Sequence, residues 1–252
     1  MIAVVDYATG NLRSVANALR RAGAEFTLTA DAALLRRAER VILPGVGEAS
    51  SAMARLRERG LDEVLPTLTC PVLGICIGMQ LLCLSSEEGD AECLGLFPTR
   101  VRRLPSDAES GAGTEAGIRA VEEIGGSPSA GCLLAAETFP AVGGLLAGGP
   151  LPAGGGGLAG ESPTRLRLKI PHVGWDTIEE LRSPLFEGVP EQSYVYYVHS
   201  YAADPCPATI ATTDYGRRFS AALHRDNFFG TQFHPEKSGA VGARILQNFL
   251  NL

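Results

Sequence analysis

Val72-Leu73-Gly74-Ile75-Cys76-Ile77-Gly78-Met79-Gln80 is the stretch whose reading decides the fold. The apolar run from Pro71 to Ile75 predicts a buried parallel strand, and Met79-Gln80-Leu81-Leu82 predicts the first turns of a helix. Cys76 stands at the break, with Gly74 two residues before it and Gly78 two after. That is the spacing of a nucleophile elbow with cysteine in place of serine. Such a turn presents its central side chain at the end of a strand, and the flanking positions run too close to neighbouring backbone for anything but glycine. A helix N-terminus behind the turn favours negative charge there. The competing reading is a buried cysteine that acts as a small hydrophobe.

The far end of the chain favours the reactive reading. Gly230-Thr231-Gln232-Phe233-His234-Pro235-Glu236-Lys237-Ser238 places a histidine and a carboxylate two residues apart. In an extended segment the two point to the same side. Glu236 then orients His234, and His234 takes the Cys76 proton. This is the nucleophile, base and orienter pattern of a catalytic triad.

Gly-Ile-Cys-Ile-Gly-Met-Gln with a later Gln-Phe-His-Pro-Glu resembles the class I (triad) glutamine amidotransferases. Within that family, three further stretches resemble the glutaminase subunits of imidazole glycerol phosphate synthases, which serve histidine biosynthesis: Asp6 to Leu12, Pro171-His172-Val173-Gly174-Trp175-Asp176, and Tyr196-Tyr197-Val198-His199-Ser200-Tyr201. The resemblance covers about Met1 to Pro105 and Arg165 to Leu252. It implies an α/β, flavodoxin-like fold with a mixed, mostly parallel central sheet and helices on both faces. It also implies glutamine as substrate, no metal or organic cofactor, and a heterodimer with a (β/α)8-barrel cyclase. That cyclase uses the ammonia to turn a phosphoribosyl formimino carboxamide nucleotide (PRFAR) into imidazole glycerol phosphate and an aminoimidazole carboxamide ribotide (AICAR). Two other readings stay open: the glutaminase of another ammonia-channelling synthase, such as pyridoxal phosphate synthase, and a non-catalytic regulatory protein on the same fold.

Composition bounds these readings. The 252 residues suffice for one α/β domain with a substantial core. A net charge of −6 argues against nucleic acid as a partner. No apolar run approaches the roughly 18 residues of a membrane span. Asp6 interrupts the N-terminal apolar run and no basic segment precedes it, so a signal peptide is not expected. Cys70, Cys76, Cys83, Cys93, Cys132 and Cys206 lack the paired spacing of zinc sites and are expected as reduced thiols in a cytoplasmic protein.

In chain order, strands are expected at Ile2 to Asp6, Phe26 to Thr29 and Val41 to Leu43. A helix beginning at Asn11 and ending before Gly23 separates the first two. Strands alternating with helices predict a doubly wound parallel sheet, whose active sites lie at the carboxyl ends of the strands. Pro44-Gly45-Val46-Gly47 reads either as a glycine-punctuated turn or as an oxyanion loop. Ile77, the residue after the nucleophile, is the first expected oxyanion donor. The resemblance implies that the second donor is Val46 and that Gly45 meets the substrate. A helix is expected over Glu48 to Arg59 and a strand over Thr99 to Leu104.

The chain then changes character. Residues 106–164 hold 15 of the 30 glycines and one basic residue, Arg119, against seven acids. The stretch reads as an acidic, Gly/Ala-rich insertion into a single domain of residues 1–252, flexible for want of anything to fix its backbone, with a short helix near Ala116 to Ile124. Beyond it, strands are expected at Leu166 to Ile170, Tyr194 to Val198, Ala208 to Thr212, Phe219 to Leu223 and Phe228 to Phe233. An amphipathic helix over Gly239 to Leu252 closes the chain.

His199 reads as a hydrogen-bonded structural histidine, with the base role as its rival. The resemblance implies that Ser200 and Tyr201 contact glutamine. Gln80 either holds the amino-acid head of the substrate or is a surface residue of a first helical turn. Asn11, Pro171 and Trp175, with His172, are expected on a docking surface, where an exposed Trp is a typical anchor. The family pattern has Asn where this chain has Asp176.

Overall fold

The computed structural model of the protein describes residues 1–8, 12–106 and 168–252. Asn11, the helix expected near Ala116 to Ile124, and the insertion from residue 107 onward lie outside the described residues.

The first half alternates strand and helix. In order come β1 (Ile2–Val5), α1 (Leu12–Arg21), β2 (Phe26–Thr29), α2 (Ala32–Arg37), β3 (Arg40–Leu43), α3 (Ala49–Glu58), α4 (Leu61–Val64), β4 (Val72–Ile75) and α5 (Ile77–Leu81). Short strands β5 (Ser85–Ser86), β6 (Ala91–Glu92) and β7 (Arg100–Arg103) follow. The second half is mostly sheet: β8 (His172–Ile178), β9 (Ser193–His199), β10 (Tyr201–Ala203), β11 (Thr209–Asp214), β12 (Arg218–Arg225) and β13 (Phe228–Thr231), then α6 (Gly239–Asn251).

The main sheet has seven strands in the order β11-β12-β13-β4-β3-β1-β2. Its five strands from β13 to β2 are parallel, while β12 runs antiparallel to β13, and β11 antiparallel to β12. All residues of β1, β4 and β13 are buried, as expected of strands covered on both faces. The step from β1 to β2 runs one way across the sheet, and the steps to β3, β4 and β13 run the other. Right-handed crossovers therefore put α1 on one face and α2, α3 and α5 on the other. The packing agrees: α3 touches α4 and α5, while α1 packs with the turn preceding α6.

Local chemistry sets the ends of these elements. Gly23, at φ 70°, ends α1 with bonds from its own N–H to Arg20 and from Ala24 N–H to Leu19. Asp31 caps α2 by accepting from the N–H groups of Ala33 and Leu34.

Two smaller sheets stand beside the main one: β10-β7-β5-β6, and the antiparallel pair β8-β9. The strand expected at Leu166 to Ile170 is corrected: residues 168–170 are not strand, and the ladder begins at His172. Pro171 has no N–H to give to a ladder, so pairing starts just after it. No helix among the described residues is long and apolar enough to cross a membrane.

Candidate active site

Strand β4 delivers Cys76. The chain turns so sharply after Ile75 that Cys76 adopts φ 54° and ψ −111°, a region that costs a residue with a side chain on the order of 1–3 kcal/mol. Its N–H is tied to Thr231 O at 2.7 Å, and Gln80 N–H returns to Cys76 O at 3.1 Å. The flanking glycines leave no room for a methyl. A Cβ on Gly74 would lie 2.7 Å from the backbone of Gly78 and Met79, and one on Gly78 would overlap the Leu43 carbonyl at the end of β3. The elbow is thus wedged between β3 and β4 by atoms that glycine alone can bring so close.

Strand β13, paired in parallel with β4, delivers the histidine. His234 Nδ1 lies 2.8 Å from Glu236 Oε1, and both side chains are buried. The segment departs from the extended conformation expected from the sequence. Pro235–Lys237 form a 3₁₀ turn, which folds Glu236 back against the ring. The opposite nitrogen, Nε2, is buried, forms no regular hydrogen bond among the described residues, and faces the Cys76 thiol across the cleft. Burial disfavours the charged ring. Interactions with the side chains of Cys76 and Glu236 outweigh it and raise the His234 pKa from its ordinary value near 6.5 to about 10.

The cleft has a volume of ≈ 280 Å³ and is bordered by Val46, Gly47, Cys76, Ile77, Gln80, Glu88, Pro171, Val198, His199, Ser200, Tyr201 and His234. The structure therefore brings together Val46, Ile77, Gln80, Ser200 and Tyr201 with the cysteine and histidine. Gly45 packs behind them; a Cβ there would lie 2.5 Å from Gly78 N. The buried Tyr7 hydroxyl donates to Pro44 O at 2.8 Å and so anchors this loop to the end of β1. Gln80 is buried, not a surface residue. Its Nε2 donates to Tyr201 O at 3.0 Å and Gln232 Oε1 at 2.9 Å, which leaves Oε1 without a partner among the described residues. An unpaired buried acceptor invites a ligand's donor.

The sequence reading missed Gln232 and Glu88. Gln232 Nε2 donates to Cys76 Sγ at 3.6 Å, though an amide next to an apolar strand carries no signal of that. Burial raises the Glu88 pKa, against a bond from Ala49 N–H, and the Glu48 charge adds to the rise.

His199 is structural, not a second base. Its Nδ1 faces Tyr201 O at 2.8 Å and its Nε2 faces His172 at 3.1 Å. Burial, helped by the charges of His172, His234 and Arg217 and opposed by the Tyr201 carbonyl, drives its pKa down to about 3. His172 is a correction: it is buried, not on a docking surface. Alternation along β8 turns it inward and leaves Val173 and Trp175 outward, each 55% exposed. Across the hairpin, Tyr194 at 55% and Val198 at 37% join them on one apolar face. Pro171 is exposed and borders the cleft itself.

A family model described as Glutamine amidotransferase class-I matches residues 3–252. The chain is 41% identical over 251 residues to "Imidazole glycerol phosphate synthase subunit HisH" of Bacteroides fragilis (strain YCH46), covering 100% of this chain and 99% of that protein. It is 36% identical over 253 residues to the protein of the same name from Yersinia pseudotuberculosis serotype I, again covering 100% and 99%. Among solved structures, a glutamine amidotransferase from Thermotoga maritima matches with a TM-score of 0.52 and 15% identity, over 99% of this chain and 82% of that one. At that identity the structural likeness speaks to the fold alone.

Proposed function

The chain belongs to the class I glutamine amidotransferase family, and from that premise we propose that it is the glutaminase subunit of an imidazole glycerol phosphate synthase, hydrolysing glutamine and passing ammonia to a cyclase in histidine biosynthesis. The observation that carries the chemistry is the placement of His234 between Glu236 and Cys76 in a cleft of amino-acid size.

In this reading Cys76 Sγ attacks the side-chain amide carbon of glutamine. The negative charge that develops on the carbonyl oxygen is met by backbone N–H groups of Ile77 and of the Gly45-Val46 loop. His234 holds the thiol proton and gives it to the departing nitrogen, so ammonia leaves and a γ-glutamyl thioester remains. Water, deprotonated by His234, then releases glutamate. Glu236 keeps the ring oriented. At the far end of the cleft, Gln80 Oε1 and the Glu88 carboxylate suit the substrate's α-ammonium, while Ser200 and Tyr201 border its body.

Ammonia released into water is mostly protonated and no longer nucleophilic, so the product needs a direct path to its acceptor. The partner is a (β/α)8-barrel cyclase, docked on the apolar face formed by Trp175 with Val173, Tyr194 and Val198, beside the exposed Pro171. The free thiols of Cys70, Cys76, Cys83, Cys93 and Cys206 suit a reducing, cytoplasmic setting.

Glutaminase kinetics on the chain alone, with a barrel cyclase, and with cyclase plus its nucleotide substrate test this reading. Stimulation by the histidine-pathway cyclase and its nucleotide is expected. Stimulation by a pyridoxal phosphate synthase barrel instead, or no hydrolysis in any state, overturns it.

A further inference from the structure

The backbones that carry Cys76 and His234 are anchored to different sheets. Cys76 is held by the main sheet: its N–H meets Thr231 O at 2.7 Å, and Thr231, opposite Ile75, is the last residue of β13 to pair with β4. Gln232 N–H still reaches that sheet, at Ala221 O, 2.8 Å away. Two residues later the chain has turned to the hairpin. His234 N–H donates to Tyr196 O on β9 at 2.9 Å. The His234 carbonyl accepts from Ser238 Oγ at 2.7 Å and from Lys237 N–H at 3.0 Å. Ser238 Oγ in turn accepts from Tyr196 N–H at 2.9 Å.

These bonds close a ring between one residue of the hairpin and the base. In an antiparallel ladder every second residue turns its N–H and C=O away from the partner strand. Tyr196, opposite Trp175, is such a residue, and the His234 turn takes up both of its backbone groups. The direction of each bond is fixed. A backbone N–H only donates, so Ser238 Oγ accepts from Tyr196. Its single proton then goes to the His234 carbonyl, which only accepts. Ser238 itself is buried.

The hydroxyl forgoes a more usual use. Ser238 stands at the N-cap of α6, where a serine oxygen ordinarily accepts from an N–H of the first helical turn. Its side chain makes no such bond here. The helix instead fixes where Ser238 sits. Gly242 N–H meets Ser238 O at 3.0 Å, and a Cβ on Gly242 would lie 1.9 Å from Pro235 O and 2.8 Å from Ser238 Cβ. The first turn of α6 is thus seated against the His234 turn at a distance that only glycine permits.

We propose that Ser238 is a positioning residue for the reaction: its hydroxyl joins the His234 carbonyl to the Tyr196 N–H and so registers the general base on the β8–β9 hairpin, while the nucleophile is registered on the main sheet. The separation of base and nucleophile is then set by how the hairpin fits against the main sheet. The outward face of that hairpin carries Trp175, whose ring meets that of Tyr196 at 5.9 Å between centroids. A partner seated there bears on the residue that holds the base. The proposal rests on the glutaminase reading for its catalytic consequence, but not for the anchoring of His234.

The test uses the full chain with Ser238→Ala, Ser238→Thr and Ser238→Val, read by steady-state glutaminase kinetics with the cyclase and its nucleotide, and by imidazole ¹⁵N titration of His234. Ser238→Ala is expected to lower kcat roughly tenfold to a hundredfold with KM within about twofold, since misplacing a reacting group by about 1 Å costs up to about 10²-fold. Threonine and valine share a shape and differ in the hydroxyl, so strain from the added methyl is common to both and Ser238→Thr is expected to be the faster. In Ser238→Ala the His234 ring is expected to lose its proton at a pH lower by about one unit than in the parent, as it drifts from Cys76 and Glu236. A kcat within twofold of the parent, a loss confined to KM, Ser238→Thr no faster than Ser238→Val, or an unmoved His234 titration overturns the proposal. If Ser238→Ala does not fold, the order of Ser238→Thr and Ser238→Val decides. A parent that hydrolyses no glutamine in any state overturns the functional reading instead, while the titration still decides whether Ser238 positions His234.

Discussion

Gln232 Nε2 donates to Cys76 Sγ across 3.6 Å, one residue beyond the strand that carries the histidine to the same sulfur. Its Oε1 is meanwhile the acceptor for Gln80. Replacing Gln232 with Leu strips a donor from the sulfur and leaves a buried Gln80 proton unpaired. A buried donor left unsatisfied costs about 1–3 kcal/mol, so thioester formation is expected to slow roughly tenfold to a hundredfold. Single-turnover acylation by glutamine reads this directly, and a rate within twofold of the parent contradicts the role.

Cys76→Ala is expected to abolish glutamine hydrolysis while the chain stays folded, since the side chain lies in the cleft. Activity within tenfold of the parent sinks the nucleophile assignment. The backbone gives a second outcome. At φ 54° and ψ −111° a side chain is strained by roughly 1–3 kcal/mol, more than the roughly 0.5–1 kcal/mol that glycine gives up in chain entropy. Cys76→Gly should therefore melt above Cys76→Ala. The reverse order in calorimetry shows an unstrained turn.

The His234 pKa of about 10 makes a claim about stability with a definite sign. The folded value lies above the ordinary one, so the charged ring stabilises the fold. That contribution is fully present below about pH 6.5 and is lost as pH rises through about 10, a change on the order of a few kcal/mol. Denaturant titrations of the parent and of His234→Ala should show a gap that narrows across this window. Glu236→Gln removes one of the groups that raise the ring, so the narrowing should begin at lower pH. A constant gap from pH 6 to 10 contradicts the charged ring.

Trp175 stands 55% exposed with its edge against Tyr196, at 5.9 Å between centroids. Trp175→Ala is expected to weaken binding of the barrel cyclase by more than about tenfold, the range of an interface anchor. Surface plasmon resonance with immobilised cyclase measures it. An unchanged dissociation constant moves the docking face away from the β8–β9 hairpin.

Much of this architecture is legible in the sequence because its cause is local. Val72 to Ile75 and Ile2 to Val5 read as buried strands because a strand covered on both faces needs an unbroken apolar run. Gly74 and Gly78 mark the elbow because nothing else fits against Leu43 and Gly78 itself. What stays hidden depends on partners far along the chain. Helix α2 is only six residues and rests on the Asp31 cap, too short for periodicity to register. Strands β5 and β6 have two residues each and exist only by pairing. His172 is expected outward beside Trp175, although alternation in a strand puts residues 172 and 175 on opposite sides. The meeting of His234 and Glu236 is expected from extended alternation and arises instead from a 3₁₀ turn begun by Pro235.

Cys76 and Gln232 touch across 156 residues of chain, on strands that are neighbours in the sheet. A ribosome makes the chain from one end, so the Cys76 thiol emerges well before its base, His234. A nascent or truncated chain that ends before β13 holds a nucleophile with nothing to activate it. Hydrolysis therefore begins only when the final strand slots in beside β4 and Thr231 O takes the Cys76 N–H. The length of what lies between matters little to that closure, because doubling a loop adds only about 0.6 kcal/mol. Catalytic competence thus waits on β13: the enzyme consumes no glutamine until that strand and the histidine it carries are in place.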